Sequence, residues 1–177
     1  IIKVDTKKYF ATFKKLNNIY LSTQTNIENL AFVLEILKKF TIRKKTLIHV
    51  LKKFKGLKYR QQVICNKKNL KIINDSKSTS FSSSIGILKT HLNIYWLLGG
   101  IPKKGDKFYL PKKYYRDIKA YIFGRNTQKL VSDLKNKIRL KKFSDLKKAL
   151  SCLSRDIKDD KSNIRTILFS PAAASFD

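Results

Sequence analysis

Polar side chains suited to binding a ligand gather in three short segments of this 177-residue sequence. The segments are residues 74–79, which read Asn-Asp-Ser-Lys-Ser-Thr, residues 99–106, which read Gly-Gly-Ile-Pro-Lys-Lys-Gly-Asp, and residues 170–175, which read Ser-Pro-Ala-Ala-Ala-Ser. Each segment follows a short apolar run of the kind that forms a buried strand. Because lysines and hydroxyls donate charge-assisted or neutral hydrogen bonds, these segments are candidates for binding an anion.

The segment at residues 74–79 joins a predicted strand to a predicted helix. The N-terminus of a helix offers unpaired N–H groups and a partial positive charge, which favour a carboxylate or a phosphate. Asp75 could accept a hydrogen bond from a ribose hydroxyl, while Lys77 and Thr79 could hold an anion. The same residue types also cap helices that bind nothing, so the segment alone leaves both interpretations open.

The other two segments argue against several common kinds of site. Paired glycines at residues 99–100 allow a ligand or a backbone to come close, and Lys103 is a point charge suited to a carboxylate, although an ordinary turn also explains this segment. It matches neither the phosphate-binding loop nor the dinucleotide fingerprint. Ser175 has no nearby histidine, since His49 and His91 lie in or beside predicted helices, which argues against a serine hydrolase.

Apolar spacing along the chain predicts strands that alternate with helices. Short apolar runs predict strands at residues 62–65, 70–73, 94–98, 118–123, 138–140 and 164–169, the first two forming a hairpin. Residues 19–21 are predicted to be strand or loop, Thr41 and Ser144 are predicted helix N-caps, and Leu92 is predicted to share a helix face with Ile85. The alternation indicates an α/β fold, with a Rossmann-like, mostly parallel sheet and helices on both faces. Ligands bind such sheets beyond the carboxyl ends of the strands, where all three polar segments fall.

The charge of the chain does not by itself predict a nucleic-acid partner. Forty basic and 12 acidic residues give a formal net charge of +28, which is typical of polyanion binders but also of a compositional bias across a whole proteome. Of the basic residues 33 are lysines spread from end to end, whereas base readout and bidentate phosphate contacts favour arginine on one face. We therefore prefer compositional bias as the explanation.

The composition also indicates the cellular compartment in which the protein works. Cys65 and Cys152 stand 87 positions apart without metal-binding spacing, which predicts a reducing, cytoplasmic setting. No apolar run approaches the ~18 residues of a membrane span, so no membrane partner is predicted. The chain does not begin with Met, and we expect it to begin inside a longer protein, which we expect to be monomeric.

Five motifs, in this order, resemble the C-terminal part of the Mur ligases from about Thr25 to the end of the chain. They are residues 54–60, 73–79, 98–106, 123–125 and 168–177. Each motif is modest alone, whereas five of them in order at strand ends make the resemblance specific. It is strongest to the family branch that adds D-glutamate to UDP-N-acetylmuramoyl-L-alanine.

The resemblance implies a reaction and a domain organisation. ATP, with Mg²⁺, phosphorylates the substrate carboxylate, and the amine of D-glutamate attacks the acyl phosphate to form an amide bond in a peptidoglycan precursor. By the resemblance, residues 1–55 are the helical remnant of a central ATP-binding domain. Residues 56–177 are then a Rossmann-like C-terminal domain, truncated at its end, that presents the amino acid.

The resemblance also implies roles for individual residues. Nucleotide binding is implied for Asn29, Arg60 and Asp75, with Asn26 as a second helix-start asparagine, and D-glutamate binding is implied for Lys77, Thr79, Lys103 and Ser175. Thr25 and Tyr59 replace histidines of the family pattern. The family's phosphate loop, magnesium ligands and carbamylated lysine have no counterpart in this sequence, so no catalytic residue and no metal ligand is predicted. The chain alone is expected to be inactive.

Three alternatives remain at this level. The first is a sister ligase that adds another amino acid. Lys103 and the Ser-Pro-Ala-x-Ala-Ser tail speak against it, because they resemble the D-glutamate branch and not the Asp-Asn-Pro-Arg motif of the diamino-acid branch. The folylpolyglutamate synthetases share the architecture. A basic Rossmann-like domain that binds RNA or DNA would show an affinity that falls steeply with salt.

Overall fold

The computed structural model describes residues 4–5, 16–21 and 23–174. The chain divides into two compact units, Ile1–Leu57 and Lys58–Asp177. In the described part of the first unit, a short 3₁₀ helix at Ile19–Leu21 precedes helix α1 (Gln24–Leu37) and helix α2 (Lys44–Lys53). Among the described residues, no helix is long and apolar enough to cross a membrane.

The first unit has a small core and two corrections to the sequence predictions. Buried Leu21, Ile27 and Leu30 form that core. Residues 19–21 are helical rather than strand or loop, and the N-cap of α2 is Arg43, without a side-chain hydrogen bond, rather than Thr41. The Ile42 N–H donates to the Phe40 carbonyl across 2.9 Å, which closes a tight turn at Thr41 before the helix begins.

The second unit is built on one six-stranded sheet. Its strands are β1 (Gln62–Lys67), β2 (Leu70–Asn74), β3 (Ile94–Gly99), β4 (Ile118–Phe123), β5 (Arg139–Phe143) and β6 (Arg165–Phe169). They lie in the order β1-β2-β6-β3-β4-β5, in which only the β1–β2 hairpin is antiparallel. The predicted hairpin and the mostly parallel sheet are therefore confirmed.

Helices cover both faces of this sheet. They are α3 (Phe81–Thr90), α4 (Gln128–Leu134) and α5 (Leu146–Asp159), with a 3₁₀ helix at Lys112–Asp117. Trp96 of β3 points toward the α3 and α4 side, and its neighbour Tyr95 points toward α5, yet both are fully buried. A strand buried on both faces explains why residues 94–98 are a continuous apolar run rather than an alternating one.

Two predictions about the helices of this unit are wrong in detail. Helix α5 is capped by Asp145, whose carboxylate accepts the Lys148 N–H at 2.8 Å, while the Ser144 hydroxyl donates to that carboxylate and accepts from the Lys148 ammonium. A charged oxygen one residue closer to the helix takes the cap that was expected of Ser144. Helix α3 ends at Thr90, so Leu92 lies beyond it and is 56% exposed.

Candidate ligand-binding site

The three polar segments meet at one edge of the sheet. Strand β6 lies between β2 and β3, and all three strands are parallel. Their carboxyl ends therefore deliver residues 75–80, 100–106 and 170–174 to neighbouring positions. This is the edge at which open α/β sheets bind ligands, and the expected position of the three segments is confirmed.

Asp75 lies beneath this edge as a buried carboxylate. Its side chain and backbone are 5% exposed. Its Oδ1 accepts the Gln61 N–H at 3.0 Å, and its Oδ2 accepts the Ser170 hydroxyl at 3.0 Å. Asp75 thus joins the loop before β1, the end of β2 and the end of β6.

Burial raises the pKa of Asp75 to about 6, although the Gln61 N–H, the Ser170 hydroxyl and the charge of Arg60 all favour the ionised form. The effect of desolvation on the pKa is the largest, because the carboxylate has exchanged bulk water for only two hydrogen bonds. The site therefore keeps an anion at neutral pH under the loop that carries Arg60, at a cost in folding free energy.

A chain of serine hydroxyls continues from this carboxylate. The Ser170 hydroxyl lies 2.7 Å from that of Ser84, which lies 2.9 Å from that of Ser78. The buried Trp96 indole donates to the Ser170 carbonyl at 2.8 Å. The sequence analysis missed Ser84 and this use of Ser170. A serine run entering a helix was the available signal, because serines inside helices usually need such partners.

The loop that carries Arg60 is held in an unusual backbone conformation. Tyr59 and Gln61 have φ angles of +64° and +48°, which non-glycine residues seldom adopt. The Lys77 N–H donates to the Tyr59 carbonyl at 3.1 Å, and Gln61 is held by Asp75. These bonds keep the exposed Arg60 beside the loop that carries Lys77.

The N-terminus of α3 is already capped by the protein. Ser80 is the N-cap and forms a reciprocal capping box with Ser83. The Phe81 N–H donates to Asp106 Oδ2 at 2.7 Å. These two amides are engaged within the protein, whereas the side chains of Lys77 and Thr79 beside them are exposed and available to a ligand anion.

The Lys103 loop is fastened to the loop that follows β6. Ile101 and Ala174 form an antiparallel bridge, with both N–H···O distances at 3.0 Å. Gly100, at φ +109°, makes this approach possible, because a Cβ there would lie 2.5 Å from the Ala174 carbonyl oxygen. Lys103 itself is exposed at the start of the next turn.

The predicted site residues are distributed as follows. Exposed side chains in loops of this edge are Arg60, Lys77, Thr79 and Lys103, with Asp75 buried beneath them; Asn29 is exposed on α1 of the first unit, and Ser175 lies outside the described residues. Ala174, the last described residue, is held by its bridge with Ile101. The ligand roles of all seven residues stay predictions.

A cleft of about 820 Å³ lies at the opposite edge of the sheet, near the start of β4 and β5 and the end of α5. Two of its three carboxylates, those of Asp156 and Asp160, are already paired with other side chains of the protein. Asp156 accepts from Lys141 at 2.6 Å and from the Tyr121 hydroxyl at 2.5 Å, and Asp160 accepts from Lys119 at 3.3 Å. This network fastens α5 to the sheet, and the strand-end edge remains the better candidate site.

Within the described ranges, no group of three or more His, Cys, Asp or Glu side chains could hold a metal ion.

Comparison with known proteins gives consistent relatives. The chain is 32% identical over 176 residues to the UDP-N-acetylmuramoylalanine–D-glutamate ligase of Wolbachia sp. subsp. Brugia malayi, which covers 99% of this chain and 34% of that protein. It is 34% identical over 156 residues to the ligase of the same name from Francisella philomiragia, covering 86% of this chain and 37% of that one. The chain thus spans about a third of the length of these relatives. No family model matches it.

The solved structures agree on the fold. The crystal structure of MurF from Acinetobacter baumannii superposes with a TM-score of 0.62 at 17% identity, over 84% of this chain and 35% of that one. At this identity the likeness concerns the fold alone. The sequence relatives, at 32% and 34% identity over 99% and 86% of the chain, show that the chain belongs to the Mur ligase family.

Proposed function

We propose that the complete protein is an ATP-dependent ligase that joins D-glutamate to UDP-N-acetylmuramoyl-L-alanine, and that this chain supplies its amino-acid-binding domain. The relatives that match 86–99% of the chain carry that ligase name. One structural observation carries the proposal at the level of the site. The loops of Lys77, Thr79 and Lys103 meet at one strand-end edge.

The chemistry of D-glutamate fits this edge. The amino acid has two carboxylates and one amine, and Lys77 and Lys103 supply exposed cations for the carboxylates. Gripping both carboxylates fixes where the amine points, which is how positioning accelerates an attack on an activated acyl group. The amine nitrogen forms the new C–N bond, the acyl C–O bond breaks, phosphate leaves and the amine proton passes to solvent.

ATP and Mg²⁺ belong to the same proposal. We propose that Asn29 and Arg60 contact the nucleotide, since Arg60 is an exposed cation suited to a phosphate. Both oxygens of Asp75 already accept hydrogen bonds, so its contribution to nucleotide binding is proposed to include holding the Arg60 loop. Mg²⁺, which activates the phosphates when bound, is proposed to be held by parts of the protein outside this chain.

The two compact units are assigned within this proposal. The unit Ile1–Leu57 would be the end of the central ATP-binding domain, and the unit Lys58–Asp177 the C-terminal domain. We further propose that the complete enzyme is a cytoplasmic monomer and that this chain alone does not catalyse the reaction.

Phosphate release tests the proposed function directly. The complete reading frame would be given ATP, Mg²⁺ and UDP-N-acetylmuramoyl-L-alanine, together with D-glutamate, L-glutamate or diaminopimelate. We expect release with D-glutamate only. Release with diaminopimelate instead would identify a sister ligase, and no release from a folded protein would remove the proposal.

Replacing Lys103 with Ala in the complete enzyme is expected to raise the KM for D-glutamate by about 10- to 100-fold, because a charge-assisted hydrogen bond to a carboxylate is lost. The KM for ATP should change little. Lys104→Ala is the matched control, since Lys104 is the next exposed lysine of the same turn. Equal increases for D-glutamate and ATP would remove the assignment of Lys103.

A further inference from the structure

Asp106 connects two loops of the candidate site that are distant in sequence. Its Oδ2 accepts the N–H of Phe81, the first residue of α3, at 2.7 Å across 25 positions. Phe81 directly follows the loop of Lys77 and Thr79, whereas Asp106 ends the loop of Lys103. One hydrogen bond therefore joins the two segments whose side chains are proposed to hold the carboxylates.

The geometry of the Lys103 turn transmits this contact. The Asp106 N–H donates to the Lys103 carbonyl at 3.2 Å, which closes a four-residue turn. Gly105 has a φ of +79°, the conformation that the third position of a type II turn requires. Because Lys103 is bonded through its carbonyl to Asp106, fixing the carboxylate of Asp106 on α3 also fixes the backbone of Lys103.

Two backbone hydrogen bonds hold the chain on the N-terminal side of Lys103. Ile101, two residues before it, forms its bridge with Ala174. Lys103 thus stands between one attachment to the loop after β6 and one attachment to α3. Removing the attachment at Asp106 would leave the turn held on one side only.

Helix capping alone does not account for Asp106. Helix α3 already has Ser80 as its N-cap, with Ser83 completing the capping box. Asp145 shows what a local cap looks like in this chain, since it accepts from Lys148 only three residues away. Asp106 instead reaches the helix from another loop, and its negative charge is favoured there by the helix dipole.

We infer that Asp106 is a positioning residue for amino-acid binding, which holds the Lys103 turn against the start of α3 so that the Lys103 ammonium meets a substrate carboxylate. The inference rests on the proposed D-glutamate site. Asp106 acts through its hydrogen bond to the Phe81 N–H, and no contact with the substrate is assigned to it.

The test uses the complete enzyme with Asp106→Ala, Asp106→Asn and Asp145→Ala. The Asp106→Ala variant is expected to raise the KM for D-glutamate by about tenfold or more, as loss of one charged hydrogen bond implies, with kcat and the KM for ATP changed less than twofold. Asp106→Asn keeps an acceptor oxygen for the Phe81 N–H and should recover most of the loss. Asp145→Ala loses a cap of the same kind at α5 and should leave the KM for D-glutamate unchanged.

Amide hydrogen exchange provides a readout that does not depend on turnover. In the native protein the Phe81 amide should be protected, and it should exchange faster in Asp106→Ala while the amides of α5 stay as they were. An unchanged KM for D-glutamate in Asp106→Ala, an equal rise in the KM for ATP, or a similar rise in Asp145→Ala would each overturn the inference. Absence of D-glutamate turnover in the native enzyme would instead remove the proposed function, and unchanged exchange at Phe81 would overturn the connection itself.

Discussion

An Asp75→Asn variant is expected to gain stability over the native chain as the pH rises from 3 to 8, by up to about 3 kcal/mol. Burial raises the pKa of Asp75 to about 6 from its ordinary value of 3.8. Asparagine removes the charge but keeps the hydrogen bonds, because its carbonyl can accept the Gln61 N–H and its amide can donate to Ser170. The measurement is urea unfolding of both proteins at pH 3, 5 and 8.

The direction of the effect follows from proton linkage. The folded state holds its proton on Asp75 up to a higher pH than the unfolded state does. Native stability contributed by this group is therefore fully present below about pH 4 and is lost as the pH rises through about 6. Asparagine does not titrate, so the Asp75→Asn variant loses no stability at this position as the pH rises.

Asp145→Asn is the control for this experiment. Asp145 has a lowered pKa because it accepts the Lys148 N–H and is close to Ser144, so removing its charge should not stabilise the chain at any pH. A constant difference between Asp75→Asn and the native chain from pH 3 to pH 8 would contradict the prediction and would mean that folding does not shift the pKa of Asp75.

The cost of keeping Asp75 ionised points to a role in function rather than in stability. Carboxylates whose pKa is strongly raised by burial are found preferentially at functional sites of proteins. In this chain Asp75 accepts the Gln61 N–H, and the positive charge of Arg60 stabilises its ionised form. In the complete enzyme, we therefore expect the stabilised Asp75→Asn variant to use ATP less efficiently.

Much of the architecture followed from sequence because it depends on local patterns. The apolar run at residues 94–98 and the glycines after it predicted a buried strand and its end, and the structure has both. Once parallel strands were predicted, the position of residues 74–79 and 99–106 at one edge followed from topology alone.

The connections within the site did not follow from sequence because they join residues without any local pattern. Asp106 meets Phe81 across 25 positions, and Ser84 meets Ser170 across 86. A helix start without its surroundings looks like an open anion site, whereas the folded chain fills it with Asp106. The same limit explains Thr41 and Ser144, which have side chains suited to helix caps but lie two residues and one residue, respectively, before the actual N-cap positions.

Replacing Gly100 with Ala is expected to destabilise the chain by about 1–3 kcal/mol more than replacing Gly105 with Ala. Both glycines have positive φ angles, of +109° and +79°, so both substitutions strain the backbone by about 1 kcal/mol or more. Only at Gly100 does the new methyl group meet another atom, since its Cβ would lie 2.5 Å from the Ala174 carbonyl oxygen. Nothing lies within 4 Å of the corresponding position at Gly105. Relieving the overlap means giving up the two hydrogen bonds between Ile101 and Ala174, each of which contributes about 0.5–1.5 kcal/mol.

Urea unfolding of the two variants measures this difference, and amide exchange at Ala174 locates it. The Ala174 amide should exchange faster in Gly100→Ala and as in the native chain in Gly105→Ala. In the complete enzyme Gly100→Ala should also raise the KM for D-glutamate, because the bridge holds the loop of Lys103 in place. Equal destabilisation by the two substitutions would mean that the segment after β6 yields without cost. The bridge between Ile101 and Ala174 could then not be what holds the loop of Lys103 in place.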